Sequence, residues 1–197
     1  MRSINTVKTQ ETGADQARLR IHAAAIECVE RWGIEKTTLN DIARMAGCSR
    51  QTVYNYFPGK AAVLESALEE AGRDFMERLE QLALQFEDPG DSLLEVILYT
   101  INRQSNEPYL HILAEPGFFV TFMQEIFGSH LSRERMQKVI RTCLRNAPEL
   151  LPHVEEISEA TGRFLMSMLI ADGGVQRNEK QLRGFIRRRI LPGLVQP

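Results

Sequence analysis

Residues 37–60 read TTLNDIARMAGCSRQTVYNYFPGK, and this stretch spells two short helices joined by a glycine turn. Thr38 with Asp41 three residues later has the spacing of a capping box, Asp replacing the usual Glu. The helix it opens ends at Gly47. Ser49 starts another, its hydroxyl placed to cap the backbone N–H of Gln51 or Thr52. Pro58 disfavours helical geometry in the residue before it, so this second helix ends by Phe57. Val53 and Phe57, four apart, form an apolar inner face to set against Ile42, Ala43 and Ala46. Arg50, Gln51, Thr52, Tyr54, Asn55 and Tyr56 are left for the outer face and its edges.

Two short helices around a tight turn, with a helix before them, make a helix-turn-helix candidate. In that motif the second helix lies in the DNA major groove and the first braces it across the backbone. Such a helix needs a divided surface, one side apolar and the other carrying donors and acceptors. Arg50 suits a bidentate pair with guanine, and Gln51 or Asn55 one with adenine. The hydroxyls of Thr52, Tyr54 and Tyr56 suit phosphate oxygens, and Lys60 begins the next helix within reach of the backbone. Ser49, beside its capping role, counts among the DNA-facing residues. Thr37 and Thr38, at the N-terminus of the bracing helix, offer further donors to phosphate. Composition alone leaves a plainer reading open, an ordinary solvated helix with tyrosines packed partly flat. The paired caps, the glycine turn and the inner-face spacing weigh against it.

Outside this stretch the pattern is helical almost throughout, with no convincing alternating strand. Residues 1–14 are polar and aperiodic, an expected frayed arm. From about Ala17 to Trp32, apolar residues recur at Ile21, Ala25, Cys28, Val29 and Trp32, and Gly33 follows where a C-cap wants a left-handed residue. After Pro58-Gly59, Leu64, Leu68, Ala71, Phe75, Leu79, Leu82 and Phe86 trace one continuous stripe, ending before the turn residues Asp88-Pro89-Gly90. Further helices are expected at about 91–104, 107–114, 117–127, 129–146, 153–171 and 178–191. The expected fold is all-α: a three-helix helix-turn-helix domain in residues 1–60, with its motif at about 38–57, then a helical domain over 61–197, about nine helices in all.

The chain has 197 residues, 43% of them apolar, enough to bury a sizeable core. No apolar run approaches the roughly 20 residues a membrane span needs, and the N-terminal twenty residues have no apolar stretch of the signal-peptide kind. The three cysteines, Cys28, Cys48 and Cys143, are odd in number and far apart. That fits a reducing cytoplasm and neither a disulfide framework nor a zinc site. Residues 1–60 hold nine Lys and Arg against six Asp and Glu, whereas the remainder holds 15 against 20. The basic excess is small and supports a DNA-binding head only together with the motif.

The run Ile21…Ala25…Gly33…Thr37-Thr38…Ile42-Ala43…Ala46-Gly47…Ser49…Thr52…Tyr54…Tyr56-Phe57…Lys60…Leu64 resembles the N-terminal domain of TetR-family transcriptional regulators over about residues 16–64. Cys48 stands where the family usually has valine, and Trp32 where it often has a polar residue. A buried cysteine is a small apolar substitute. Residues 65–197 resemble the family only in helical layout and length. The resemblance implies a homodimeric regulator on a palindromic double-stranded DNA operator, with a ligand-binding and dimerisation domain after the DNA-binding head. Its last two long helices, about 153–171 and 178–191, would pair with a partner's. Val154, Ile157, Phe164, Leu165, Met168 and Leu169 give the first an apolar face, and Leu182, Phe185, Ile186 and Ile190 the second. The same faces serve equally well as cover for the monomer's own core.

The resemblance also implies an inducer pocket among the central helices. Candidate ligand-binding residues are Phe75, Leu79, Tyr99, Arg103, Phe118, Phe119, Phe122 and Met123, which suit a small lipophilic or aromatic ligand, although such aromatic stripes are also plain core. Release from DNA would be a population shift, with the helix over about 59–86 as the lever. The four histidines, His22, His111, His130 and His153, lack metal-binding spacing, and no P-loop, GxGxxG or GxSxG occurs. No enzyme, cofactor or metal site is therefore expected. Arg187-Arg188-Arg189 reads first as a solvated or ion-paired helix edge. Control by a protein partner, or activation in place of repression, stays open as an alternative.

Overall fold

Apolar residues at helical spacing bury one side of helix α1, Gly13–Lys36, through Ile21, Ala24, Ala25, Cys28 and Val29. The computed structural model describes residues 13–103, 107, 110, 130–170 and 176–195. Gly33 interrupts α1 with φ 76° and ψ 163°, a backbone state open almost only to glycine. The expected break is there, and a further turn continues to Lys36. Next come α2, Leu39–Met45, and α3, Arg50–Tyr56. Thr38 and Asp41 form the expected capping box on α2, and the Ser49 side chain caps α3 by accepting from the Thr52 N–H.

Gly47, at φ 64°, makes the turn between α2 and α3. The Cys48 N–H reaches the Ala43 carbonyl and the Gly47 N–H the Arg44 carbonyl, the paired bonds of a Schellman C-cap. Ile42, Ala43, Val53 and Phe57 are all buried, as their spacing predicts. Then α4, Lys60–Ala83, runs for 24 residues and buries Val63, Leu64, Ala67, Leu68, Phe75 and Leu79. One compact unit ends at Glu70 and a second begins at Ala71, so their boundary falls within α4; the sequence reading draws its domain boundary at residue 60, where this helix starts.

In the second unit α5 spans Pro89–Arg103. Pro89-Gly90 opens this helix instead of separating it from α4. The Asp88 carboxylate accepts from the Asp91 N–H at 2.8 Å, so Asp88 is the N-cap and Pro89 takes the first helical position, which needs no N–H donor. Then follow α6, His130–Cys143, a 3-10 helix, Pro148–His153, α7, Val154–Ile170, α8, Glu179–Arg189, and the single turn α9, Pro192–Val195. The described residues thus hold nine α-helices and no strand. The helices expected at 107–114 and 117–127 lie outside them but for Glu107 and Leu110. None of the described helices is long and apolar enough to cross a membrane.

The core of this unit is built by Leu93, Leu94, Ile97, Ile140, Leu144 and Ile186, all fully buried. Arg145, just past α6, closes the end of α4. Its guanidinium donates to the carbonyls of Ala83 at 3.1 Å, Leu84 at 3.3 Å and Phe86 at 2.6 Å. The α-helix stops at Ala83, short of the expected Phe86, and continues as tighter i→i+3 turns, with the Gln85 and Phe86 N–H groups donating to the Leu82 and Ala83 carbonyls. On the last two long helices, Val154, Ile157, Leu165, Leu169, Leu182 and Ile186 are buried within this chain, while Phe164, Met168, Phe185 and Ile190 are half-buried. Arg183 pairs with Glu95 through both guanidinium nitrogens, and Arg187 pairs with Asp91 at 2.5 Å. The arginine run therefore includes an ion-paired member on α8 facing α5.

Candidate nucleic-acid interface

The cap and turn around α3 fix which of its side chains face solvent. Arg50, Gln51, Tyr54 and Asn55 are exposed, and Thr52 and Tyr56 are half-buried. Arg50 Nη2 donates to the Tyr54 hydroxyl at 3.1 Å, and its guanidinium lies over the Tyr54 ring, 5.3 Å from the centroid. One residue further along, Gln51 Nε2 donates to Asn55 Oδ1 at 3.2 Å. Both are i,i+4 contacts along one helix. The hydroxyls of Ser49 and Thr52 are 2.8 Å apart.

Tyr56 turns toward α1. Its ring lies 6.5 Å from that of Phe57, and the Arg18 guanidinium sits over both, at 5.9 and 5.6 Å. His22 of α1 packs on Phe57 with ring centroids 5.4 Å apart, and its Nε2 is 3.0 Å from the Ser66 hydroxyl. Sequence reasoning missed Arg18 and His22. Their four-residue spacing on α1 was visible, but what they touch depends on how α1 meets α3 and α4.

Two expected phosphate contacts need correction. Thr37 is only 1% exposed, and its hydroxyl donates to the Gly33 carbonyl at 2.9 Å. Burial removes that side chain from any DNA surface. Lys60 directs its ammonium inward, donating to the carbonyls of Ile34 at 2.8 Å and Thr37 at 2.9 Å. It meets the chain where α1 ends and α2 is about to begin, where carbonyls lack helical partners. Thr38 remains exposed, with its hydroxyl engaged by Asp41. Hydrogen bonds from Thr38, aided by Arg44, hold the Asp41 carboxyl below the usual carboxylate range. The capping box therefore stays ionised and intact near neutral pH.

Of the candidate ligand residues, Phe75 and Leu79 are buried on α4, and Tyr99 and Arg103 follow on α5. The rings of Phe75 and Tyr99 are 6.3 Å apart, with the Arg103 guanidinium 4.9 Å from the Tyr99 centroid and Arg78 over Phe75 at 5.7 Å. Phe118, Phe119, Phe122 and Met123 lie outside the described residues. Among the described residues, no group of His, Cys, Asp and Glu is arranged to hold a metal ion.

Residues 21–67 match the family model for bacterial regulatory proteins, tetR family. Rv1255c of Mycobacterium tuberculosis, an uncharacterized HTH-type transcriptional regulator, is 26% identical over 160 residues, 78% of this chain and 73% of its own length. The HTH-type transcriptional regulator EthR of the same organism is 30% identical over 143 residues, 73% of this chain and 56% of its own length. Among solved structures, the TetR family repressor AlkX from Dietzia sp. superposes with a TM-score of 0.62 at 19% identity, over 90% of this chain and 94% of AlkX. At that identity the likeness speaks for the fold alone.

Proposed function

We propose that the chain, whose residues 21–67 match the model for tetR-family bacterial regulatory proteins, is a homodimeric repressor of a palindromic operator, released by a small lipophilic or aromatic ligand. The divided surface of α3 carries the reading: Val53 is fully buried, while Arg50, Gln51, Tyr54 and Asn55 face solvent. Arg50 and Gln51 would contact base edges, with Asn55 beside Gln51 on the same face. Thr38, Ser49, Thr52 and Tyr56 would contact the sugar–phosphate backbone, which sets register. Lys60 would act indirectly, by holding the start of α2 in place.

Residues 1–60 would serve DNA and 61–197 the ligand and the dimer. The half-buried Phe164 and Met168 on α7 and Phe185 and Ile190 on α8 are the apolar groups available to a second copy. A two-fold dimer is what a palindrome demands. Phe75, Leu79, Tyr99 and Arg103 supply an apolar wall with a cationic edge, and Phe118, Phe119, Phe122 and Met123 complete the proposed ligand set. Relief of repression cannot exceed the ligand's preference for the form that does not bind DNA.

The test is a gel-shift against duplex fragments of the source genome at physiological salt. The expected result is a retarded complex on a palindrome whose half-site centres lie roughly 34–36 Å, or a multiple, apart. Binding no stronger than to random-sequence DNA would overturn the proposal.

A further inference from the structure

The exposed face of α3 carries contacts within itself that bear on how it reads sequence, given the DNA-binding reading above. An arginine on a DNA-facing helix has two kinds of anion-rich target. Phosphates are nearer and carry no sequence information, whereas guanine O6 and N7 do. A loose guanidinium settles on phosphate as readily as on a base. Arg50 has a local partner: it is hydrogen-bonded to the Tyr54 hydroxyl, and its guanidinium carbon lies over the Tyr54 ring, 5.3 Å from the centroid. The cation–π contact consumes no N–H donor, and the hydroxyl takes one of the five. The remaining edge stays available for a bidentate pair. Tyr54 itself is 40% exposed, so its ring is a platform on the surface and not a core residue.

The neighbouring pair has the same form. Gln51 Nε2 donates to Asn55 Oδ1 at 3.2 Å, which favours one orientation of each carboxamide. Gln51 keeps its Oε1 acceptor and one N–H, matching the N6 donor and N7 acceptor of adenine.

We propose that base preference is set by two buttressed pairs: Tyr54 orients Arg50 toward guanine, and Asn55 orients Gln51 toward adenine at an adjacent base pair. Tyr54 and Asn55 are positioning residues here, acting on sequence through their partners. Preorganisation of this kind avoids freezing long side chains only on binding.

Selection of sites from a randomised duplex pool tests this, using the full-length wild type and Arg50→Ala, Tyr54→Phe, Tyr54→Leu and Asn55→Ala variants. Arg50→Ala should lose guanine preference at one position by about ten- to a hundredfold. Tyr54→Leu should lose most of the same preference at the same position, although Arg50 is still present. Tyr54→Phe, which keeps the ring and drops the hydroxyl, should fall between. Asn55→Ala should relax only the adenine position. In the Tyr54 variants affinity for random-sequence DNA should fall far less than the guanine preference does. Guanine preference retained in Tyr54→Leu, or equal weakening on operator and random DNA, overturns the pairing and makes Tyr54 a backbone contact or a bystander. A wild type that selects no sequence at all overturns the DNA-binding reading itself, a distinct result.

Discussion

Lys60 Nζ donates to the Thr37 carbonyl at 2.9 Å and, beside it, to the Ile34 carbonyl at 2.8 Å. One ammonium thereby ties the first residue of α4 to the connection between α1 and α2. Hydrogen bonds from a charged donor contribute more than neutral ones, and losing the donor leaves two carbonyls to find water. Lys60→Ala should therefore destabilise the N-terminal unit by about 2 kcal/mol, seen as a lowered midpoint in thermal unfolding. An unchanged midpoint with uniformly weakened DNA binding would mean that Lys60 contacts phosphate directly.

Arg145 performs the corresponding task in the second unit. Its fork collects the carbonyls of Ala83, Leu84 and Phe86 at the end of α4, where the helix dipole also favours a cation. Arg145→Ala should cost about 2–3 kcal/mol. Lysine, a single point donor, should recover only part of this. The measurement is denaturant unfolding of the three proteins. Full rescue by lysine would show that charge alone matters and that the fork geometry does not.

These two residues mark the limit of what the sequence discloses. Thr38 with Asp41, Gly47 and Ser49 were readable because a cap or a left-handed turn is decided within a few residues. Val53 and Phe57 were readable for the same reason, since helical periodicity assigns a face locally. Lys60 and Arg145 look like ordinary surface cations in sequence. Their partners lie 23 and 62 residues away, at Thr37 and Ala83, and only tertiary packing brings them there. Pro89-Gly90 misled for a different reason: the pair suits a turn and a helix start alike, and the Asp88 cap decides between them. On α7 and α8 the apolar pattern marks the faces but does not separate Val154, Ile157, Leu165, Leu169, Leu182 and Ile186, buried by this chain, from the half-buried Phe164, Met168, Phe185 and Ile190, because covered and uncovered apolar residues have the same periodicity.

Cysteine reactivity should be confined to one residue. Burial pushes the Cys143 thiol up to about 11, and burial, with the nearby charges of Asp41 and Glu27, raises that of Cys28. Cys48, in the turn between α2 and α3, is partly exposed. Since the thiolate is the reacting species, a maleimide at pH 7.5 should modify Cys48 rapidly and the other two only on unfolding. Mass spectrometry of the native protein after brief labelling would show a single adduct. Early labelling at Cys28 or Cys143 would contradict the burial described.

Stability of the N-terminal unit should fall on mild acidification because of His22. Its ring lies between Phe57 and Ser66, and its Nδ1 is buried without a hydrogen-bond partner. Burial lowers its pKa and the Arg18 charge adds to this, while Glu70 opposes both. The protonated ring carries an N–H at both nitrogens, so a charged Nδ1–H then lies buried where no acceptor waits. The unfolded chain takes up its proton near the ordinary value of 6.5 and the folded chain only at lower pH, so in that window the unfolded state binds more protons. By linkage, the stability contributed by neutral His22 is fully present above pH 6.5 and is lost as pH falls through the folded value. Thermal midpoints of wild type and His22→Gln measured from pH 7.5 to 5.0 should therefore converge as pH drops, the wild type losing more. Parallel curves for the two proteins would remove His22 as the source of any acid sensitivity and leave the carboxylates to explain it.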